Sequence, residues 1–513
     1  MAGVSPYATA LKLGRPKPDY VLNEEDANRV ASYSTYWDIY HNVEEAFLAV
    51  LRNDDGDELS RRNIPAARTI IEATNRYLAK DPVITPNPIV INPDGTELQA
   101  DVATLSQIMK LWNDLAKREE FWTKFLSLKR WLLIRGDAIL HVTADDTKAE
   151  GTRISINEED PATYFTIPNP VDRTRVDGAY LVSIVDDDEG EPIAQRQQYT
   201  RTDSGRIWTQ LRFFTVDKWD DRFPLTELDL EEADVPERFA DSPLVTGFEL
   251  DPRITQIPVY HYRNNRKGKE PFGLSELQGI ETLLAGITQT ATDQDQTVVL
   301  TGIGIYVTTS GKPRDQDGNE QDWMIAPASV MELETTDDKF DRVPGVTSVQ
   351  PLLDHLGMLE GQAQKTTGTP DIAVGRVEVT VAESGVALAI EMAPILAKNA
   401  EKEQEIKSKT EQMLYDLVNM WMPVYENLDP KGASLALTFG DPLPPDRKAI
   451  LAEITGMVDS GLISKAFAQT LVRERLGYDI PKDDLAAIVA EQGQILDATG
   501  MRLDQEASGG ELA

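Results

Sequence analysis

Three short runs in this 513-residue chain gather enough charged or oxygen-bearing side chains to suggest chemistry. Asp186-Asp187-Asp188-Glu189 has the composition of a divalent-cation cluster, but consecutive acids more often form a solvated turn. Asp315-Gln316-Asp317-Gly318-Asn319-Glu320 has the alternating oxygens of a calcium loop. Its glycine falls at the fourth position rather than the sixth, and no glutamate stands at the twelfth, so a hairpin turn is expected. Arg263-Asn264-Asn265-Arg266-Lys267-Gly268-Lys269 is the one strongly basic run. It reads either as an exposed loop or as a contact for nucleic acid or an acidic partner.

Catalytic patterns are missing from the sequence. His41, His141, His261 and His355 are scattered singly and cysteine is absent, so neither a multi-histidine metal site nor a thiol nucleophile is expected. There is no G-x-x-x-x-G-K-S/T, no H-E-x-x-H and no G-x-S-x-G. Gly302-Ile303-Gly304 lacks the third glycine and the following helix that cradle a phosphate. It reads as a close-packed strand within the apolar run Val298–Val307. The reading is therefore of a non-enzymatic protein, with no catalytic residue, cofactor or metal.

Composition narrows the class further. Hydrophobic residues make up 41% and charged residues 27%, which is ordinary for a globular protein of two to four domains. The net charge is −35. Free nucleic-acid binders carry the opposite sign. Such a surface is either simply solvated or suited to letting a polyanion pass without adhering. No apolar stretch reaches membrane-spanning length, and Met1-Ala2-Gly3-Val4-Ser5-Pro6 has no leader-like pattern, so neither span nor leader is expected.

The elements that would position these groups follow from periodicity. Residues 1–29 read as an arm. Helices are expected over 30–51 and over 64–79, the latter capped by Asn63, before Asp81-Pro82 and Pro86-Asn87-Pro88 break the chain. Leu105, Ile108, Leu111, Trp112 and Leu115 form one helical stripe, and Phe121, Phe125, Leu128, Leu132 and Leu133 the next. Gly136-Asp137 turns into a strand over 138–143. Strands at 163–167, 179–185, 193–200, 206–214 and 259–262, with Asp203-Ser204-Gly205 as a hairpin tip, predict an α+β fold with an antiparallel sheet.

A helix opened by Ser275 is expected from Gly273 to about Leu300; its charges are Glu276, Glu281, Asp293 and Asp295, with no Lys or Arg. An insertion at 301–344 is expected to pair strands Ile303–Thr309 and Trp323–Ile325. A helix at 351–366 leads to a Thr/Gly-rich loop and then to a helix of roughly 40 residues, about 60 Å long, reaching Trp421 and kinked at Pro394. Lys and Glu alternate over 397–411, as a solvated face or a subunit contact. A strand at 434–439, the linker Pro442-Leu443-Pro444-Pro445 and a small helical unit over 446–497 complete the chain, with a disordered end at Glu506–Ala513.

Read in this order, the chain resembles the portal proteins of tailed double-stranded DNA bacteriophages. The likeness rests on Asn63-Ile64-Pro65, Phe272-Gly273-Leu274-Ser275-Glu276-Leu277, Ser384-Gly385-Val386-Ala387-Leu388 and Gly461-Leu462-Ile463-Ser464, and on the order of elements from about residue 30 to 500. The resemblance implies a wing over 30–272, a first stem helix over 273–300, a clip over 301–344, a second stem helix over 345–366 and a tunnel loop over 367–382. A long wing helix and returning strand follow over 383–444, a crown over 445–500 and a tail over 501–513. It also implies a ring, commonly of twelve subunits, at one capsid vertex of the virion, assembled in the host bacterial cytoplasm. DNA enters through the ring, driven by terminase, and later leaves through it.

The implied partners are the terminase large subunit, the head–tail adaptor, and the major capsid and scaffolding proteins, with double-stranded DNA in the channel and no membrane. Lys365, Thr366, Thr367, Gly368, Thr369, Gly375 and Arg376 then fall at the tunnel loop, where Lys365 and Arg376 either touch phosphate or pair with neighbouring subunits. Glu276, Glu281, Asp293 and Asp295 would make the stem electronegative. Arg314, Asp315, Asp317, Glu320 and Trp323 would meet partners at the clip. Twelve chains would carry roughly −420 in total, a field that repels phosphate from the walls. The other readings open to the sequence are a phage-associated hydrolase and a minor capsid or adaptor protein.

Overall fold

In the computed structural model, the residues described are 24–43, 63–87, 89–91, 97–99, 101–169, 176–215, 232–266, 271–303, 305–312, 320, 335, 337–343, 349–376, 385–443 and 447–476. The chain divides into one compact unit of residues 1–378 with 391–440 and a second of 379–390 with 441–513.

The first unit begins with helices α1 (Glu24–His41) and α2 (Ala66–Tyr77). Helix α1 starts ahead of the expected residue 30 and ends at His41, short of the expected 51, because Asn42 turns the chain at φ +60°. Asn63 does not cap α2. Pro65 holds that position, and Asn63 Nδ2 instead donates to the Asn42 carbonyl at 3.1 Å. The expected chain break at Pro86 is instead a strand, β1 (Val83–Asn87), followed by the short ribbon β2 (Ile89–Ile91) and β3 (Glu97–Gln99).

Helices α3 (Val102–Arg118) and α4 (Phe121–Arg135) bury the two apolar stripes read from the sequence, with Leu111 only partly covered. Trp112 and Phe121 meet edge to face at 5.0 Å between ring centroids, an arrangement that aromatic quadrupoles favour. Asp101 caps α3, accepting from the Ala103 amide. Gly136 closes α4 at φ +91°. A Cβ there would lie 2.6 Å from the backbone carbon of Leu274, so only glycine fits both the turn and the approach.

The chain then enters β4 (Asp137–Ala144), the middle strand of a three-stranded antiparallel sheet with β5 (Ile154–Glu159) on one side and β11 (Val259–Arg263) on the other. Residues 137–142 are all buried, as a central strand covered on both faces requires. Strands β6 (Tyr164–Pro168), β7 (Val176–Asp186), β8 (Pro192–Arg201), β9 (Ile207–Thr215) and β10 (Phe248–Glu249) form the antiparallel sheet expected here, in sequential order. The β8–β9 hairpin turns at Asp203-Ser204-Gly205, with Gly205 at φ +80°. At the β7–β8 turn Asp187 Oδ1 accepts from the Glu189 and Glu191 amides, so this acidic run organises a turn.

Helix α5 (Glu281–Ile303) starts at Glu281, not at Gly273. Ser275 Oγ donates to the Ile134 carbonyl at 2.5 Å and accepts from the Leu277 amide at 3.0 Å; it caps a turn before the helix rather than the helix itself. The run Val298–Val307 is not one strand. Helix α5 continues through Ile303, and β12 (Ile305–Thr308) follows. The described partner of β12 is β13 (Phe340–Val343), in antiparallel register, while the expected Trp323–Ile325 lies outside the described residues. Helix α6 (Gln350–Thr367) packs against α5 and ends at Gly368 in the left-handed conformation, φ +67°.

Helix α7 (Gly385–Asp416) contains Pro394, continues through a π turn at Leu417–Trp421, and ends at Tyr425, just beyond the expected Trp421. Strand β14 (Ser434–Thr438) returns to pair with β1. Pro86 is tolerated because, among the described residues, this sheet has two strands, so each has a free edge.

In the second unit α8 (Arg447–Asp459) and α9 (Lys465–Leu476) form a helical pair turned at Gly461, φ +72°. Ser464 Oγ accepts from the Phe467 amide at 3.2 Å and caps α9. The rest of the helical unit and the expected disordered end lie outside the described residues.

Candidate functional site

The alternating Lys and Glu of α7 are largely consumed within the chain. Glu276, on the turn before α5, is buried with its side chain 1% exposed. Its Oε1 accepts from Lys402 Nζ at 2.8 Å, from Asn265 Nδ2 at 2.6 Å and from Asn264 Nδ2 at 3.2 Å. Lys398 pairs with the second carboxylate oxygen and also donates to the Thr367 carbonyl, at 2.6 Å. That carbonyl belongs to the last turn of α6, where an ammonium group offsets the negative end of the helix dipole. One carboxylate and two lysines thus tie the approach to α5, the end of α6 and the middle of α7.

Burial by itself would raise the Glu276 carboxyl, but Lys402 and then Lys398 outweigh it and hold it down at about 2. Burial pulls the Lys402 ammonium below the usual lysine range, against the attraction of Glu276. The two partners' shifts therefore point in opposite energetic directions, and each ion depends on the other to remain charged.

This placement corrects two readings of the sequence. Glu276 is not part of an electronegative helix surface: it precedes the helix and is neutralised. Most of the Lys/Glu run is not a solvated face either. Arg263 and Arg266, from the basic run, pair with Glu405, and Asn264 and Asn265 both accept from Lys402. Glu403 accepts from the Ala79 amide and Glu411 from the Leu437 amide. Lys407 with Glu411, at 4.0 Å, is the expected kind of i,i+4 pair. Lys267 and Lys269 lie outside the described residues.

A second buried knot, not visible in the sequence, stands beside the first. Asp137 is fully buried and accepts from Tyr33 Oη at 2.5 Å, His261 Nε2 at 2.6 Å and the Gly273 amide at 2.8 Å. Burial lowers the His261 ring below its usual range despite the neighbouring carboxylate, and it raises the Tyr33 hydroxyl well above its own. A neutral histidine, a tyrosine and a carboxylate in the interior satisfy one another. The arrangement fixes α1, β4, β11 and the segment before α5 in one place.

The remaining residues of interest lie on the α5–α6 pair and just beyond it. Glu281 accepts from Tyr36 Oη at 2.7 Å, and Asp293 from Gln289 Nε2 at 2.6 Å, while Asp295 is exposed. Lys365 and Thr366 are exposed on the last turn of α6. Thr367 belongs to that helix rather than to a loop, and both Thr367 and Thr369 are buried, with hydroxyls 3.1 Å apart. A short 3₁₀ turn, Asp371–Val374, follows, then Gly375 at φ +90° and the exposed Arg376, which reaches back to Glu360 on α6 at 2.8 Å. The described part of this segment, 368–376, is thus a hydrogen-bonded cap on α6. Of the clip residues Glu320 is exposed, and Arg314, Asp315, Asp317 and Trp323 lie outside the described residues. Among the described residues no cluster of acidic or histidine side chains has the arrangement of a metal site, and no helix is long and apolar enough to cross a membrane.

A family model described as phage portal protein, SPP1 Gp6-like, matches residues 20–495. No curated protein matches the chain. Among solved structures, the chain is similar to one from the virion of a native gene transfer agent particle, at 11% identity over 93% of this chain and 100% of that one, with a TM-score of 0.43. It is similar also to one from the neck of that native particle, computed with C12 symmetry, at 11% identity over 92% and 99%, with a TM-score of 0.44.

Proposed function

The chain belongs to the SPP1 Gp6-like family of phage portal proteins, a structural rather than an enzymatic family, and on that premise we propose that copies of it form a ring, commonly of twelve, at one capsid vertex of a virion assembled in the host bacterial cytoplasm. Its channel passes double-stranded DNA inward, driven by the terminase large subunit, and outward at ejection. Its outer end joins the head–tail adaptor, and its wing meets the major capsid and scaffolding proteins. The observation that carries this reading is the family match, which runs through all the described elements.

The geometry supports a division of labour along the chain. Helices α5 and α6 serve as the stem, the β12–β13 ribbon as the base of the clip, the segment after Thr367 as the tunnel loop, α7 as the wing helix and α8–α9 as the crown. Helix α5 has acids but no Lys or Arg, so a wall built from it gives phosphate no cation to hold. In this reading Lys365 and Arg376, near the end of α6, make brief phosphate contacts, Arg376 by leaving its partner Glu360. The ion knot around Glu276 fixes the stem to the wing helix, so a load applied to one reaches the other through short, buried contacts. The protein guides the DNA, and the motor supplies the work.

Light scattering with negative-stain imaging of the purified protein tests the reading. The expected result is a ring of about twelve copies of the 57.0 kDa chain with a central hole. A compact dimer or tetramer without a channel would overturn it.

A further inference from the structure

Helix α2 presents a cationic edge in a strongly acidic chain. Arg68 and Arg76, both exposed, stand two turns apart, about 12 Å along the axis. Neither has a hydrogen-bond or ion-pair partner among the described residues. Arg118, Arg130, Arg153 and Arg253, by contrast, each donate to a carboxylate or a carbonyl. The two guanidiniums flank a surface cleft of about 280 Å³ whose opposite wall is Ala373 and Val374, from the 3₁₀ turn after α6.

Among the described residues that line the cleft the one acid, Glu72, is already engaged. Its Oε1 accepts from Tyr40 Oη at 2.5 Å and from Arg130 Nε at 2.9 Å. Among the described residues, Arg68, Arg76 and Arg130 outnumber Glu72 here, and Arg68 and Arg130 add to burial in lowering the His41 ring.

We propose that this cleft receives carboxylate side chains from a second copy of the chain, as part of the contact between neighbouring subunits. The inference rests on the ring reading above. Two observations choose the occupant. With 86 acidic residues against 51 basic ones, any copy offers carboxylates, and a cyclic ring brings unlike patches face to face. The cleft, of about 280 Å³, has room for one or two side chains. Arginine forks suit such carboxylates because they donate two parallel hydrogen bonds.

The test compares the wild-type chain with Arg68→Glu/Arg76→Glu and Arg68→Gln/Arg76→Gln by sedimentation velocity across protein and salt concentrations. Both variants are expected to keep the wild-type far-UV spectrum and melting temperature, because the side chains are exposed and have no bonded partner among the described residues. The charge-reversed variant is expected to need at least about tenfold more protein for half-assembly, with the glutamine variant between it and wild type. Added salt is expected to weaken wild-type assembly more than that of either variant.

Because the chain has no cysteine, Thr69→Cys carries a single photo-crosslinker into the cleft. In mixed ¹⁴N and ¹⁵N protein it is expected to join an acid-bearing peptide of another copy. Identical assembly of wild type and the charge-reversed variant overturns this proposal and leaves the ring intact. Crosslinks only to DNA in filled particles overturn it in favour of phosphate. A wild-type protein that assembles as a compact dimer or tetramer without a channel overturns both readings.

Discussion

Replacing Glu276 by glutamine removes the charge on which two lysines depend. Lys402 has its side chain 3% exposed and Lys398 24% exposed, so the first has almost no access to water. Breaking a buried pair from one side leaves an uncompensated ion and costs about 3–5 kcal/mol. The depression of Glu276 from 4.5 to about 2 sets a similar scale, about 3 kcal/mol by linkage. The lowered Lys402 offsets part of this, so the net worth of the pair is smaller than the cost of breaking it. We expect Glu276→Gln and Lys402→Met each to destabilise the first unit by about 3 kcal/mol, and the double variant by clearly less than their sum, with a coupling of at least about 1.5 kcal/mol.

Urea denaturation at pH 7, followed by tryptophan fluorescence, measures all three. In wild type the contribution of Glu276 is full above pH 4.5 and is lost as pH falls towards 2, so the Glu276→Gln deficit is expected to shrink over that window. Additive single effects, or a deficit that does not change between pH 6 and 3, would refute the coupling of these charges.

Other perturbations probe separate links. Burial raises the Asp416 carboxyl to about 6 against the Tyr260 hydroxyl and Lys409, so its ionised form penalises the fold fully above pH 6 and not at all below 3.8. Asp416→Asn, which keeps an acceptor for Tyr260, is expected to add up to about 3 kcal/mol at pH 8 and nothing near pH 3.5; an equal effect at both pH values contradicts this. Gly136→Ala forces a Cβ against the Leu274 backbone at positive φ and is expected to cost about 2–4 kcal/mol in the same urea assay, whereas a wild-type midpoint would show that the approach relaxes freely. Ser464→Ala removes the α9 cap and is expected to raise hydrogen exchange at the Phe467 amide, for a local loss of about 1 kcal/mol; unchanged protection would mean that the hydroxyl is not the cap.

The elements easiest to read were those whose periodicity is local. The stripes of α3 and α4 carry their burial pattern in adjacent turns, and the structure buries the same side chains apart from the half-covered Leu111; the strands expected at 179–185, 193–200 and 206–214 from their turn signals form β7, β8 and β9. What failed depended on partners far along the chain. Pro86 reads as a breaker until β14 supplies its pairing, and the described partner of β12 lies beyond an insertion. Ser275 has the composition of a helix cap, yet its hydroxyl is claimed by Ile134. Glu276 looks like one more acid of an acidic helix until Lys398 and Lys402 arrive, more than a hundred residues later. The Asp137 knot draws on α1, β4, β11 and Gly273, four places that no window joins. Charge pattern alone cannot separate a solvated lysine from a buried one.

The pairing of β1 with β14 also sets a schedule for synthesis. Val83 and Thr438, partners in register, are 355 residues apart. A ribosome making about 5–20 residues per second takes on the order of 20–70 s to travel that distance. For that interval the nascent β1 has no β14 to pair with, and an unpaired strand edge invites other strands. Pro86 withholds one amide from such mispairing, so the residue that disguises the strand in the sequence also guards it before its partner exists. The last piece of the first unit's fold closes only after the whole stem and long helix have left the ribosome, which makes early termination products of this chain natural candidates for chaperone capture.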